Sequence, residues 1–554
     1  LDPTNFSAHR FLSDSIANSP RREITRVSEL LQSQLLQPIN TDPLQPQLAE
    51  TNLNIAAGSV SATPSFNEFT RLFARDGLRL TAALAGGNHN TFADEVVAWG
   101  LFSSLSASLG QFHYESDGFR EDYDVTHDIY NIFAQAAFGS TLSVQFEFRN
   151  RHTEQGDLRL TVDPAFEPEE RRELDQRTLR IGAHKKLSPR SDVVISGIFS
   201  DREASASVEP KNQPATISDV GREDGYDLQG LYLYRGDWWN LSVGLGGYHV
   251  DRDAVTTISL PGFSLPPFYS KGAVDQANAY AYWRAGFRDF LVATLGASYD
   301  SVDNEIQDLE KERISPKLGL EFHIGDKLRL RAAAFKTLKR ELITSQTLEP
   351  TQIAGFDQFY DDFNGTEAAF YGLGIDIEPG PQLSIGLEGS KRELTVPQLA
   401  VRSVEEDRDE EFYRAYAYWT PSDRWAVNAE FVREHFDNEL IKLQSLDTAR
   451  LPLSIRYFSP QGFLAGVGVS FVQQDVRFRD QRGATDFDES FTVVDAMIGY
   501  RLPKRRGLLS LEVRNLLDER FFYQDLSFAT ADPFNYRSRY IPARTIFGQV
   551  TLAF

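Results

Sequence analysis

Histidine is the first residue type to test for chemistry, because an imidazole can bind a metal or carry a proton near neutral pH. The nine histidines stand at His9, His89, His113, His127, His152, His184, His249, His323 and His435. None is paired with a second imidazole at i, i+4, the spacing that sets two ligands on one helix face. Cys is absent, so disulfides, thiolate metal sites and cysteine nucleophiles are excluded. No nucleophile elbow or phosphate-binding loop stands out. The expectation is therefore no catalytic residue, no cofactor and no metal site.

Two other residue classes could bind something. Glu405, Glu406, Asp407, Asp409, Glu410 and Glu411 form an acidic run. Carboxylates favour Ca²⁺, which could bridge to lipid phosphates, but such a run is also what a solvated loop looks like. Aromatic clusters fall in three segments: Phe356, Phe359, Tyr360 and Phe363; Phe268 and Tyr269 behind Pro266-Pro267; and Phe521, Phe522 and Tyr523. Exposed aromatics need a cover. They could stack on sugars or a hydrophobic ligand, contact a partner, or pack the loops together, and these readings stay open.

The elements that would carry these residues follow from periodicity. From about residue 77 apolar and polar residues alternate. Leu142, Val144, Phe146 and Phe148 interleave with Ser143, Gln145, Glu147 and Arg149. Trp425, Val427, Ala429 and Phe431 interleave with Ala426, Asn428, Glu430 and Val432, and the pattern returns at Leu509–Arg514 and Gln549–Phe554. A period of two is a strand with one apolar face. Counting such segments gives about 22 strands of roughly 10–14 residues, the length that crosses a membrane at a tilt. No stretch of about 18 apolar residues exists to make a spanning helix.

In lipid every backbone group must find its partner within the protein, so the strands must close into a barrel. The fold class is thus an all-β membrane protein, an antiparallel transmembrane barrel of about 22 strands with a short N-terminal helical hairpin. Phe146 and Val427 should face hydrocarbon. Gln145, Glu147, Arg149, Arg414, Asn428, Glu430, Glu512 and Arg514 should line the lumen, where Gln145→Arg is expected to be mild.

Short turns such as Gly139-Ser140-Thr141, Ser188-Pro189-Arg190 and Gly325-Asp326-Lys327 alternate with long connections near 156–176, 204–224, 254–274, 341–364, 396–408 and 519–537. Short turns face the periplasm in such barrels and long loops face outside. An even strand number then puts both barrel ends, and the helices, in the periplasm. Trp238, Trp239, Trp419 and Trp425 sit beside short turns, as headgroup-layer aromatics do. With 57 basic and 79 acidic residues the net charge is −22, which disfavours nucleic acid as a partner.

Three stretches carry a family resemblance. Ser315-Pro316-Lys317-Leu318-Gly319-Leu320-Glu321 with Leu328–Phe335 reads as a strand–turn–strand unit. Leu511-Glu512-Val513-Arg514-Asn515-Leu516-Leu517-Asp518-Glu519-Arg520 reads as a penultimate strand. Pro542-Ala543-Arg544-Thr545 through Phe554 reads as a closing strand. Together they resemble the barrel of TonB-dependent outer-membrane receptors. The resemblance implies a 22-stranded barrel in the outer membrane of a Gram-negative-type bacterium, amid lipid and lipopolysaccharide. It also implies that Val550, Leu552 and the terminal Phe554 are read by the barrel-assembly machinery.

The N-terminal part departs from that family. Only 76 residues precede the first strand, and they do not read as a plug domain. Residues 1–40 read as a helical hairpin, with Ile24, Val27, Leu30, Leu31 and Leu35 as the apolar stripe of its second helix and Pro38 as its stop. Asp2-Pro3-Thr4-Asn5 with Ala8, Leu12 and Ala17 resembles the start of a tetratricopeptide repeat, which would bind periplasmic protein partners. The chain opens at Leu1, so it is expected to be a processed or trimmed product with further repeats before it. Residues 41–76 read as a linker or lumen insert and 77–554 as the barrel. An open lumen this wide would leak, so residues 41–66, inward loops such as 341–364 or a separate plug polypeptide should fill it. Export or secretion of a polymer or protein is the favoured reading. A structural barrel anchor of an envelope assembly and TonB-dependent uptake of a large nutrient are the alternatives.

Overall fold

Alternation produces a sheet with two opposite faces, and the sheet closes on itself. The computed structural model describes residues 23–49, 74–163, 166, 168–209, 215–358, 362–397, 405–438, 443–480, 483–529, 534 and 538–554. The strands are β1 (Gly77–Gly87), β2 (Phe92–Phe102), β3 (Leu105–Ser116), β4 (Val125–Phe138), β5 (Leu142–Gln155), β6 (Glu170–Ser188), β7 (Ser191–Val208), β8 (Thr216–Arg235), β9 (Trp239–Leu260), β10 (Phe268–Phe287) and β11 (Leu291–Asn304). They continue as β12 (Leu309–Ile324), β13 (Leu328–Leu338), β14 (Glu367–Gly380), β15 (Leu383–Pro397), β16 (Glu405–Ser422), β17 (Trp425–Asn438), β18 (Leu443–Phe458), β19 (Phe463–Asp480), β20 (Gly483–Arg501), β21 (Gly507–Arg514) and β22 (Thr545–Ala553).

Each strand pairs antiparallel with the next, and β1 pairs with β22 from Thr81↔Ala553 to Gly87↔Phe547. That seam closes the barrel and leaves the sheet no edge. The expected count of about 22 strands matches. Short turns join the strands at the end where β1 starts and β22 finishes. Gly139 and Gly325 sit in two of them at φ 68° and 60°, the left-handed region that glycine enters without a Cβ clash.

The faces are those of a membrane barrel rather than a soluble protein. Leu245 is 67 % exposed and Leu373 69 %, and Leu109, Phe146, Ile195, Phe431 and Ile498 stand out with them. Gln135, Gln145, Arg180, Asp192, Gln474 and Glu512 are buried on the inside. Val427 lies on the outward face between exposed Trp425 and Phe431. Near the short turns Trp238 packs edge-on to Trp283 at 6.4 Å, and Trp425 packs on Tyr457 at 4.9 Å.

Several expectations need correction. The strands run from 8 to 22 residues, not 10–14. Most of the connections expected at 204–224 and 254–274 are strand: β7 reaches Val208, β8 starts at Thr216, β9 reaches Leu260 and β10 starts at Phe268. Once two strands are in register, each further residue adds ladder hydrogen bonds without needing lipid, so pairing overshoots the hydrocarbon. The acidic run 405–411 is likewise the start of β16 and not a loop. Its alternation sends Glu406 and Glu410 inward, where Arg408 meets Glu406 at 2.8 Å and Arg392 meets Glu410 at 2.8 Å.

The largest correction concerns the helices. Residues 1–22 lie outside the described residues, and with them the first helix of the hairpin and the repeat-like motif. The second helix, α1 (Glu23–Leu36), does not stand in the periplasm. It lies inside the barrel, with Leu31 and Leu35 packed in one cluster with Val194, Leu231, Leu233, Tyr280, Tyr282, Phe335 and Phe370 of the inner wall. Its apolar stripe needed a partner, and the inward apolar patch of β7–β14 is that partner.

Candidate functional site

The site with most chemistry is the lumen, and it is built from the wall inward. Inward amides of β4 and β5 reach α1. The Gln145 side-chain amide donates to the Gln34 carbonyl, and Gln135 donates to the Gln37 carbonyl at 3.1 Å. Gln37 returns a hydrogen bond to Gln135 Oε1 at 3.2 Å. These helix-end carbonyls have no partner within the helix, so wall amides satisfy them. Gly182 of β6 allows the close approach, because a Cβ there would lie 2.2 Å from Leu35. Beyond the helix, Pro46–Ala49 forms a single helical turn, and Gln47 N–H donates to Glu95 of β2 at 3.2 Å. Residues 50–66 of the expected insert lie outside the described residues.

A second lumen element comes from the connection 339–366. Its described residues 340–358 turn inward and are held by buried polar contacts. Arg340 contacts Glu349 at 2.5 Å and Asp300 of β11 at 2.9 Å. The Tyr282 hydroxyl donates to Glu349 at 2.6 Å, and Leu348 N–H donates to Gln229 of β8 at 2.6 Å. Every one of these groups is buried, so losing one partner would strand a charge away from water. The connection is also joined to the helix: Gln32 donates to the Leu348 carbonyl at 3.1 Å and Thr351 to Glu29 Oε1 at 2.7 Å. Helix and connection therefore form one body inside the barrel.

The described residues of the connection 515–544 cover another part of the lumen. Phe521 stacks on Phe491 of β20 at 3.8 Å, and Tyr523 and Tyr540 meet the same ring edge-on at 5.9 and 5.7 Å. Asp525 accepts the Leu160 N–H at 2.8 Å and the Ser527 N–H at 3.1 Å. Burial pushes its carboxyl up to about 6 against those hydrogen bonds.

The aromatic candidates separate by position. Phe356 is buried against Phe370 at 5.5 Å, with the Arg331 guanidinium 5.0 Å above its ring. Phe363 packs beside Ala368, Leu394 and Val396 under Arg408. Phe521 and Tyr523 are buried and Phe522 is 49 % exposed. Phe268 and Tyr269, at the start of β10, are exposed. Phe359 and Tyr360 lie outside the described residues. The lining residues also separate. Glu147 sits between Arg180 at 2.5 Å and Arg149 at 3.0 Å. Arg414 contacts Glu430 at 2.5 Å and donates to the Tyr418 hydroxyl at 2.7 Å. Glu512 is buried 3.9 Å from Arg514, which lies over Phe547. On the closing strand, Val550 and Leu552 pair with Leu84 and Ala82, and Phe554 N–H donates to the Leu80 carbonyl at 2.8 Å.

Among the cavities of the described residues, two lie beside these elements and are large enough for a small molecule. One of ≈ 430 Å³ lies along the seam wall and is lined by Tyr114, Tyr418, Asn428, Glu430, Arg514 and Tyr540 among others. The other, of ≈ 610 Å³, is lined by Arg149, Arg151, Arg202, Glu223, Tyr248 and Arg252 among others. Both fall within the size range of small-molecule sites. The second cavity, the inward apolar patch and the helix seat were missed in the sequence. A signal for the patch existed: Leu228, Leu231 and Leu233 make β8 apolar on both faces, which in a barrel means lipid on one side and packed protein on the other.

No protein-family profile matches the chain, and no curated protein matches it in sequence. Solved structures do match its fold. The ferric yersiniabactin uptake receptor FyuA from Yersinia pestis aligns at TM-score 0.67 with 12% identity, over 86% of this chain and 80% of that one. The ferripyoverdine receptor of the outer membrane of Pseudomonas aeruginosa aligns at 0.64 with 13% identity, over 87% and 72%. The siderophore receptor PiuA from Acinetobacter baumannii aligns at 0.65 with 11% identity, over 87% and 82%. The chain has the closed 22-strand antiparallel barrel fold of these outer-membrane receptors.

Proposed function

We propose that this barrel is a transporter that takes a ligand of metal-chelate size in from outside, and that its own chain obstructs the lumen at rest. The observation that carries this reading is the receptor-type barrel with α1 and the connection 339–366 docked together inside it. A cavity of ≈ 610 Å³ beside that body, and one of ≈ 430 Å³ along the seam wall, suit a small ligand better than a polymer. The export reading drew on helices standing outside the barrel to gather periplasmic partners, and α1 lies within it. Likeness to barrels named as an uptake receptor and a siderophore receptor also favours inward traffic. Moving α1 breaks buried hydrogen bonds, so passage needs energy delivered from the periplasmic side, as the fold resemblance implies.

Uptake is testable in cells that lack their own ferric-chelate receptors and express this chain. A panel of chelates loaded with radioactive iron is supplied, with and without an uncoupler. Accumulation of at least one chelate, abolished by the uncoupler, is expected. No accumulation of any chelate, together with loss of a secreted polymer when the chain is deleted from its native host, would replace uptake by export.

A further inference from the structure

On a strand the same-face neighbour of residue i is i+2, not i+4. By that spacing His152-Thr153-Glu154 sets an imidazole and a carboxylate side by side on the outward face of β5. The register places Asp175 of β6 directly opposite His152 and Glu173 directly opposite Glu154. An imidazole nitrogen of His152 and oxygens of Glu154 and Glu173 all lie within 4.8 Å of one another. The patch sits beyond Phe146 and Phe148, past the apolar part of the strand.

The hydrogen bonding of the ring is what makes this more than an acidic patch. His152 Nδ1 faces Asp175 Oδ1 at 2.9 Å. A neutral imidazole that donates from Nδ1 turns the Nε2 lone pair outward, and here Nε2 meets Glu154 Oε1 at 3.2 Å. In that neutral tautomer Nε2 and Glu154 Oε1 are both acceptors, with Glu173 beside them. Glu173 has no ion pair or side-chain hydrogen bond among the described residues. Like charges directly opposite across a ladder are destabilising. Of the two outward arginines of β6 that flank the patch, Arg171 is engaged by Asp124 at 2.7 Å and Asp122 at 3.3 Å, and Arg177 stands on the Asp175 side, opposite Asn150. A carboxylate that fixes the far nitrogen of a histidine is also the usual support of a metal-bound imidazole.

We infer that His152, Glu154 and Glu173 form a binding site for a divalent first-row transition ion such as Zn²⁺, with Asp175 orienting the imidazole. One nitrogen and two carboxylate oxygens suit zinc, and the exposed glutamates can rotate to bring their oxygens to coordination distance. The ion would join β5 to β6 beyond the apolar belt. His113, His249 and His435 also face an aspartate across the ladder, but they are not part of a three-ligand group within 4.8 Å among the described residues.

The test is calorimetric titration of ZnCl₂ into the full chain refolded in detergent, with folding checked by heat-modifiable gel mobility. His152→Ala and Glu173→Gln should each weaken binding by about ten-fold or more. His249→Ala, at an analogous pair, should leave it unchanged. Titration with CoCl₂ should give a visible ligand-field band that His152→Ala abolishes. Absence of saturable Zn²⁺ uptake would overturn the assignment, as would identical titrations for wild type and His152→Ala. Equal displacement by CaCl₂ with no effect of His152→Ala would show oxygen-only binding and overturn it too.

Discussion

The side-chain amide of Gln145 donates to the main-chain carbonyl of Gln34, 111 residues away in sequence, and fastens α1 to the inside of β5. The wall of this barrel is therefore one half of a docking interface whose other half is the chain's own N-terminal region. Replacing Gln145 should therefore be costly, where a water-facing lumen residue would be expected to tolerate it. Gln145→Ala leaves the Gln34 carbonyl buried and unpaired, a cost of about 1–3 kcal/mol. Gly182→Val should displace the helix more strongly, because its Cβ would overlap Leu35. Both variants should raise the conductance of the purified chain in planar bilayers. Wild-type conductance from Gly182→Val would mean that α1 is not seated against β6.

On the lipid side, Phe146→Arg and Val427→Arg should each cost about 2–4 kcal/mol near the bilayer midplane. Urea titration of folding into lipid vesicles measures this. An effect close to zero at both positions would invert the assignment of the two faces.

Arg340 is buried between Glu349 and Asp300, so Arg340→Ala leaves two acidic groups without their cation. Removing one partner of a buried pair costs about 3–5 kcal/mol. Hydrogen exchange should rise across 341–358 and, through the Gln32 and Thr351 contacts, across α1 as well. Faster exchange in the connection with an unchanged helix would show that the two do not behave as one body.

Asp525 supplies a pH test. Its folded pKa is raised to about 6 from an ordinary value near 4, because burial disfavours the charge. The docked connection 515–544 binds the proton more readily than the undocked one. Docking is thus tightest below the ordinary carboxylate range, weakens as pH rises towards about 6, and levels off above it. Limited proteolysis of this connection should be slower at acidic pH than at mildly alkaline pH, and Asp525→Asn should flatten the difference. A profile with the opposite slope would exclude Asp525 as the cause.

At the closing strand, deleting Phe554 removes the backbone pairing with Leu80 and the terminal aromatic group. The amount of folded barrel in the outer membrane should fall. Undiminished levels at native expression would exclude an assembly role for that residue.

The sequence by itself determined the barrel. A period of two is a local property, readable at Leu142–Arg149 without knowing what pairs with it, and its recurrence between turn residues sets the strand number. Inside and outside follow from the same alternation, because lipid tolerates only one of the two faces. Where each strand stops was less legible. Ladder hydrogen bonding does not distinguish lipid from water, so β8 and β9 run past the membrane with polar residues, and the acidic run at 405–411 became strand. An inward connection 341–364 was among the fillers the sequence offered, but that α1 fills the lumen beside it was decided by tertiary structure. The apolar stripe of α1 announced that it would be buried, but its partners lie far along the chain: Gln32 bonds to Leu348, 316 residues away. Cross-strand register similarly decided that Glu173 stands opposite Glu154 and Asp175 opposite His152. Periodicity assigns each residue a face. It does not assign a neighbour, and the chemistry of this barrel depends on its neighbours.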